Sequence, residues 1–256
     1  MEAAARFSEL VAGPESGILL DEASLCIAAL DHEVDFDEAH GHLDSLSAQA
    51  PSNASELAQQ LFGPDGFLGN EINYLDVRNS FLDDVLKRRI GIPITMSIVM
   101  MEVGRRVGIP LVGVGMPGHF LVRDEAGIFY DPFFGGVALD VAACRQRFNR
   151  LRPRAKFLPE YLAPIGTRAI LARVLANLIP AYFKSGSVPA VVGVIRLRLS
   201  IPDLSATDRA DGARILADLG LASEAAAVLD DLADEVDSAQ GARFSQQATV
   251  YRARDN

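Results

Sequence analysis

The chain has 256 residues, 49% of them hydrophobic and 23% charged, enough apolar material for one large globular unit or a core with a helical appendage. Its formal net charge of −10 argues against a nucleic-acid partner, because binding a phosphate backbone draws on clustered Lys and Arg. Cys26 and Cys144 are isolated thiols that suit a reducing compartment, no apolar run is long enough to span a bilayer, and the first residues carry no leader pattern, so a cytoplasmic protein with no membrane partner, metal or other cofactor is expected.

In chain order, residues 1–15 are Ala-rich and broken by Gly13-Pro14, which predicts a fraying helix. Residues 19–30 have the apolar spacing of an amphipathic helix, with Cys26 as a small core residue. His32, His40 and His42 lie among Asp31, Glu33, Asp35, Asp37 and Glu38; His40 and His42, two apart on a helix, point in different directions, so the group reads as a solvated face and not a metal site. Asp35 or Asp37 is predicted to cap a helix running to Ala48, and a third helix is predicted over 54–62. A loop over 67–78 should lead to a helix over 81–89 capped by Asn79 or Ser80. Asp83 and Asp84 at its start and Lys87, Arg88 and Arg89 at its end suit the helix dipole. Pro93 then opens a helix that is apolar nearly all round and ends at Gly108-Ile109-Pro110, as a buried helix should.

Residues 111–114 read as a strand, and a hairpin follows. If Arg123 pairs with Gly127 across a three-residue loop, Leu121 faces Phe129 and His119 faces Asp131, and opposed residues on one face lie about 5 Å apart at Cβ. The carboxylate would then fix the imidazole ring, as a general base requires; the same pair is equally a structural one, since the hairpin carries no nucleophile. A strand over 137–139 and a helix over 141–150 come next, with Cys144 structural and the basic residues from Arg145 to Lys156 on a solvated face. Pro153, Pro159 and Pro164 mark a domain edge, giving domains 1–158 and 159–256. Beyond it the pattern is helical. Gly186 and Gly220 are 34 residues apart, the tetratricopeptide period, but only about two degenerate units fit, so this module should pack on the first domain.

The run from Gly91-Ile92-Pro93 to Gly108-Ile109-Pro110 resembles the core helix of the transglutaminase-like superfamily. Together with Asn79-Ser80-Phe81-Leu82-Asp83-Asp84, Gly118-His119-Phe120-Leu121-Val122-Arg123 and Asp131-Pro132-Phe133, it is similar to the SirB1 family within that superfamily, over about residues 15–240. The resemblance implies an α+β fold: a transglutaminase-like (papain-like) core with a small antiparallel sheet, then a tetratricopeptide-like helical module. It also implies His119 and Asp131 as two members of a papain-like site and places Pro93 where the superfamily carries its thiol. Three functions are open. One is a non-catalytic protein serving as an interaction or regulatory scaffold. Another is an enzyme of altered chemistry, with the His119–Asp131 pair as base and Thr95, Ser97 or water as nucleophile. The third is a peptide-binding cleft. Thr95 and Ser97 are expected to bond their own helix backbone. The scaffold is favoured, with a protein or peptide partner engaged through the cleft or the C-terminal helices.

Overall fold

The computed structural model describes residues 2–254. Four helices come first: α1 (Glu2–Ala12), α2 (Leu20–Ala28), α3 (Phe36–Ser47) and α4 (Ala54–Phe62). The expected fraying of the N-terminal helix is corrected, because Phe7 and Val11 are fully buried and dock α1 on the core. All nine residues of α2 are buried, so it is enclosed on every side. Asp35 caps α3 by accepting from the Glu38 N–H at 2.9 Å, and Asn53 caps α4 in the same way.

The two-residue strands β1 (Leu68–Gly69) and β2 (Ile90–Gly91) pair in parallel on either side of α5 (Leu82–Arg88). Neither Asn79 nor Ser80 caps α5: the cap position is Phe81, and Asn79 spends its side chain elsewhere. Next comes α6 (Pro93–Val107), buried from Pro93 through Gly104 and closed by Gly108 in the left-handed conformation at φ 74°. A salt-bridge cluster ties it to α2: Arg106 bonds Asp21 at 2.7 Å and Glu102 at 2.9 Å. Because α6 also touches α3, α4 and α5, it is the axis of the N-terminal half.

Four antiparallel strands follow in sequence order: β3 (Leu111–Val114), β4 (Leu121–Asp124), β5 (Phe129–Asp131) and β6 (Val137–Leu139). The hairpin register is corrected. Arg123 pairs with Phe129 and Val122 with Tyr130, so Arg123 does not pair with Gly127, nor Leu121 with Phe129. The cause lies in the turn, where the Asp124 carboxylate accepts from the Ile128 N–H at 2.9 Å and Gly127 adopts φ 84°. Both residues are thereby drawn into closing the loop, and the strands slide by two. Val122 and Tyr130 face the main core, whereas Leu121, Phe129 and Leu139 form a smaller core with Cys144 and Phe148 of α7 (Val141–Leu151).

Five helices complete the described chain: α8 (Thr167–Ser185), α9 (Val188–Leu199), α10 (Ala206–Asp218), α11 (Ala222–Glu235) and α12 (Ser238–Arg252). Gly186 and Gly220, at φ 77° and 85°, make the turns between α8 and α9 and between α10 and α11. The class is α+β, mostly helical with small sheets. One cluster of buried side chains runs without a break from Phe7 to Tyr251.

Candidate functional site

The site begins with a turn. Asp131 ends β5 and caps a short 3-10 turn, Pro132–Phe134, accepting from the Phe134 N–H at 3.3 Å. Gly135 and Gly136 follow, both at positive φ, and a Cβ on Gly136 would come within 2.9 Å of the Ala58 carbonyl oxygen. Only glycine allows the chain to turn there against α4. On the other strand His119 sits just before β4, after Gly118 at φ 80°. Its Nε2 lies 2.9 Å from each Asp131 oxygen, so the two side chains do meet although their strands pair two residues out of the expected register. Both are buried, at 4% and 0% exposure.

Two arginines that the sequence reading placed on solvated faces or passed over complete the surroundings. Arg147 of α7 brings Nε to 3.4 Å from Asp131 and stacks its guanidinium 4.0 Å from the centre of the Phe134 ring. It is therefore a partner of the buried carboxylate, not a solvated charge. Arg173 of α8 donates to the carbonyls of Gly115, Met116 and His119 at 2.6, 3.1 and 3.0 Å, clasping the loop that carries His119. No local signal marks either residue. Their partners lie 16 and 54–58 positions away, and only the folded chain brings them together.

The helix that would supply the nucleophile packs beside the pair, since α6 touches both β4 and the 132–134 turn. Its first residue, Pro93, has neither a reactive group nor a backbone N–H. The Thr95 hydroxyl donates to the Asn79 carbonyl at 2.7 Å and accepts from the Ile92 N–H, and the Ser97 hydroxyl donates to the Pro93 carbonyl at 2.7 Å. Among the described residues, neither hydroxyl hydrogen-bonds His119. The native thiols do not replace them. Cys144 is fully buried, and its pKa is pushed up to about 12 by that burial and then by the charges of Asp131 and Asp140. Burial likewise raises Cys26.

Asn79, expected as a helix cap, is instead a buried hub. Its Nδ2 donates to the Asn73 and Tyr74 carbonyls at 2.8 and 3.2 Å, and its Oδ1 accepts from Asn70 at 3.1 Å and Arg88 at 3.3 Å. With its carbonyl on Thr95, it fastens the 70–78 loop to the head of α6.

A buried helix abutting a small antiparallel sheet that bears a hydrogen-bonded His–Asp pair defines an α+β protein of transglutaminase-like build. A family model for the transglutaminase-like superfamily matches residues 27–176, and the chain belongs to that superfamily. A UPF0162 protein of Xylella fastidiosa is 41% identical over 139 residues, covering 52% of this chain and 50% of that one. A UPF0162 protein of Pseudomonas aeruginosa is 34% identical over 202 residues, 74% of each chain. Human F-box only protein 21 is 31% identical over 124 residues, 44% of this chain and 19% of that protein. The chain thus spans about half the length of the Xylella relative it matches. No solved structure matches it.

Proposed function

We propose that this protein is a non-catalytic member of its superfamily, of the SirB1 branch, serving in the cytoplasm as an interaction or regulatory scaffold. Its parts would be a transglutaminase-like domain over 1–158 and a tetratricopeptide-like module over 159–256, and its partner a protein or peptide held by the cleft or the C-terminal helices. One observation carries the reading: α6 opens with Pro93, and the hydroxyls nearest that end are spent on backbone carbonyls. The left-handed glycines 34 residues apart support the repeat. Phe183, Val188 and Val250 stand exposed on α8, α9 and α12 and offer apolar surface to a partner.

A second reading keeps some chemistry. The His119 ring meets Asp131 through Nε2, and among the described residues Nδ1 makes no hydrogen bond. A water at Nδ1 would be activated by a ring held in place, with Thr95 and Ser97 uninvolved.

The test is Pro93→Cys. A thiol at position 93, at the head of a buried helix that packs on β4 and the 132–134 turn, is drawn toward the thiolate by the helix N-terminus, whereas Cys144, with its pKa near 12, stays protonated at neutral pH. The new thiol is expected to alkylate well before Cys26 or Cys144, read by peptide mapping over a time course, while the parent shows no thiol-dependent transamidation or amide hydrolysis. An inert Cys at 93 would overturn the degenerate-site reading. Parent amide cleavage that survives loss of both native thiols but not His119→Ala would favour the water mechanism.

A further inference from the structure

His32 lies in sequence among acidic residues of an expected solvated face, but the fold brings it to a different pair, Asp83 and Asp84. His32 follows α2, and its Nε2 lies 2.8 Å from Asp83 Oδ2 at the start of α5. One ligand-type atom each from His32, Asp83 and Asp84 can be chosen so that all three lie within 4.8 Å of one another. Asp83 is 3% exposed, and its Oδ1 is buried with no hydrogen-bond partner. A buried carboxylate oxygen is rarely left so, because desolvating it without a partner is costly. Among the described residues, neither Asp83 nor Asp84 is in ion-pair contact with a Lys or Arg; the one ion-pair partner is His32.

The ring is also supported on its far side. His32 Nδ1 faces Asp31, with 3.6 Å to Oδ2, and Asp31 accepts from the Tyr182 hydroxyl at 2.6 Å. Phe81 meets the imidazole edge-on at 5.3 Å between ring centres. A carboxylate behind one ring nitrogen, with the other aimed at a carboxylate cluster, is how metal-bound histidines are oriented. His32 is about a third exposed, so the cluster has a route to solvent.

We propose that His32, Asp83 and Asp84 form a binding site for a first-row divalent cation such as Mn2+ or Zn2+. One imidazole and two carboxylates are a mixed nitrogen–oxygen donor set that suits these ions, with water filling the remaining positions. The cation satisfies the orphaned Asp83 oxygen and clamps the end of α2 to the start of α5, which leads directly into β2 and α6. The site is separate from the His119–Asp131 pair and does not depend on whether that pair is catalytic.

Equilibrium dialysis of chelator-stripped protein against Mn2+ or Zn2+, with bound metal measured by elemental analysis, tests the proposal. The expected result is saturation close to one equivalent of either ion and a raised melting temperature. Asp84→Asn and His32→Gln should weaken binding by about tenfold or more, whereas His42→Gln should bind like the parent. A variant-free readout guards against misfolding: in the parent, substoichiometric Mn2+ should broaden the His32 imidazole NMR signals before those of His40, His42 or His119. No saturable binding of either ion, binding unchanged in both ligand variants, or first broadening at another histidine would overturn the site.

Discussion

Asp131 joins three partners at the centre of the pair's neighbourhood. It accepts from His119, caps the turn that follows it and faces Arg147, all with no exposure to solvent. Truncating it strands a buried imidazole and a largely buried guanidinium together. Asp131→Ala is therefore expected to cost about 3 kcal/mol of stability, read from urea denaturation. Asp131→Asn, which keeps an acceptor for both the turn and the ring, should cost clearly less. Equal losses in the two variants would mean that a neutral acceptor of the same shape restores nothing and that the negative charge facing His119 and Arg147 carries the whole effect. The meeting of His119 with Asp131 was legible from chain spacing, though by a route that was partly wrong. Strand pairing does not reach His119, because β4 begins only at Leu121 and the hairpin is offset by two. The imidazole spans the offset to reach both Asp131 oxygens. Asn79 was misread because a short-range rule, Asn before a helix, looks the same whether the amide caps that helix or reaches back to carbonyls five and six residues upstream.

At the scale of elements, periodicity served well where one element decides its own fate. The helices over 54–62 and 93–107 and the strands over 111–114 and 137–139 all lie where the sequence places them, because apolar spacing, an opening Pro93 and a closing Gly108 act locally. It served poorly where one element borrows from another. Arg173 is the clearest case: nothing in α8 announces that it will hold three carbonyls between residues 115 and 119. Arg173→Met keeps most of the apolar stem and removes these charge-assisted bonds, for an expected loss of about 2 kcal/mol. Hydrogen exchange should show where the loss falls. Faster exchange in residues 115–121, with α10 to α12 unchanged, is the expected pattern, and uniform acceleration along the chain would mean that Arg173 matters only for packing.

For the whole molecule, the unbroken cluster from Phe7 to Tyr251 predicts a single cooperative transition, with far-UV and near-UV signals coincident in urea. Ile170, Leu171, Val174, Leu175 and Leu178 of α8 are buried in the same cluster as α2 and α6. A chain ended at residue 158 is accordingly expected to be insoluble or molten, and a soluble, cooperatively folding fragment would show that the N-terminal part needs no such cover. The clasp of Arg173 has one more consequence. Since α8 both heads the C-terminal helices and grips the His119 loop, anything that shifts α8 against that loop does work on it, and the account must balance in both directions. A partner that binds more tightly when the grip is released would loosen His119 by the same free energy that loosening His119 returns to its affinity. In such a case α8 and the His119 loop would share one thermodynamic lever, with Arg173 as its fulcrum.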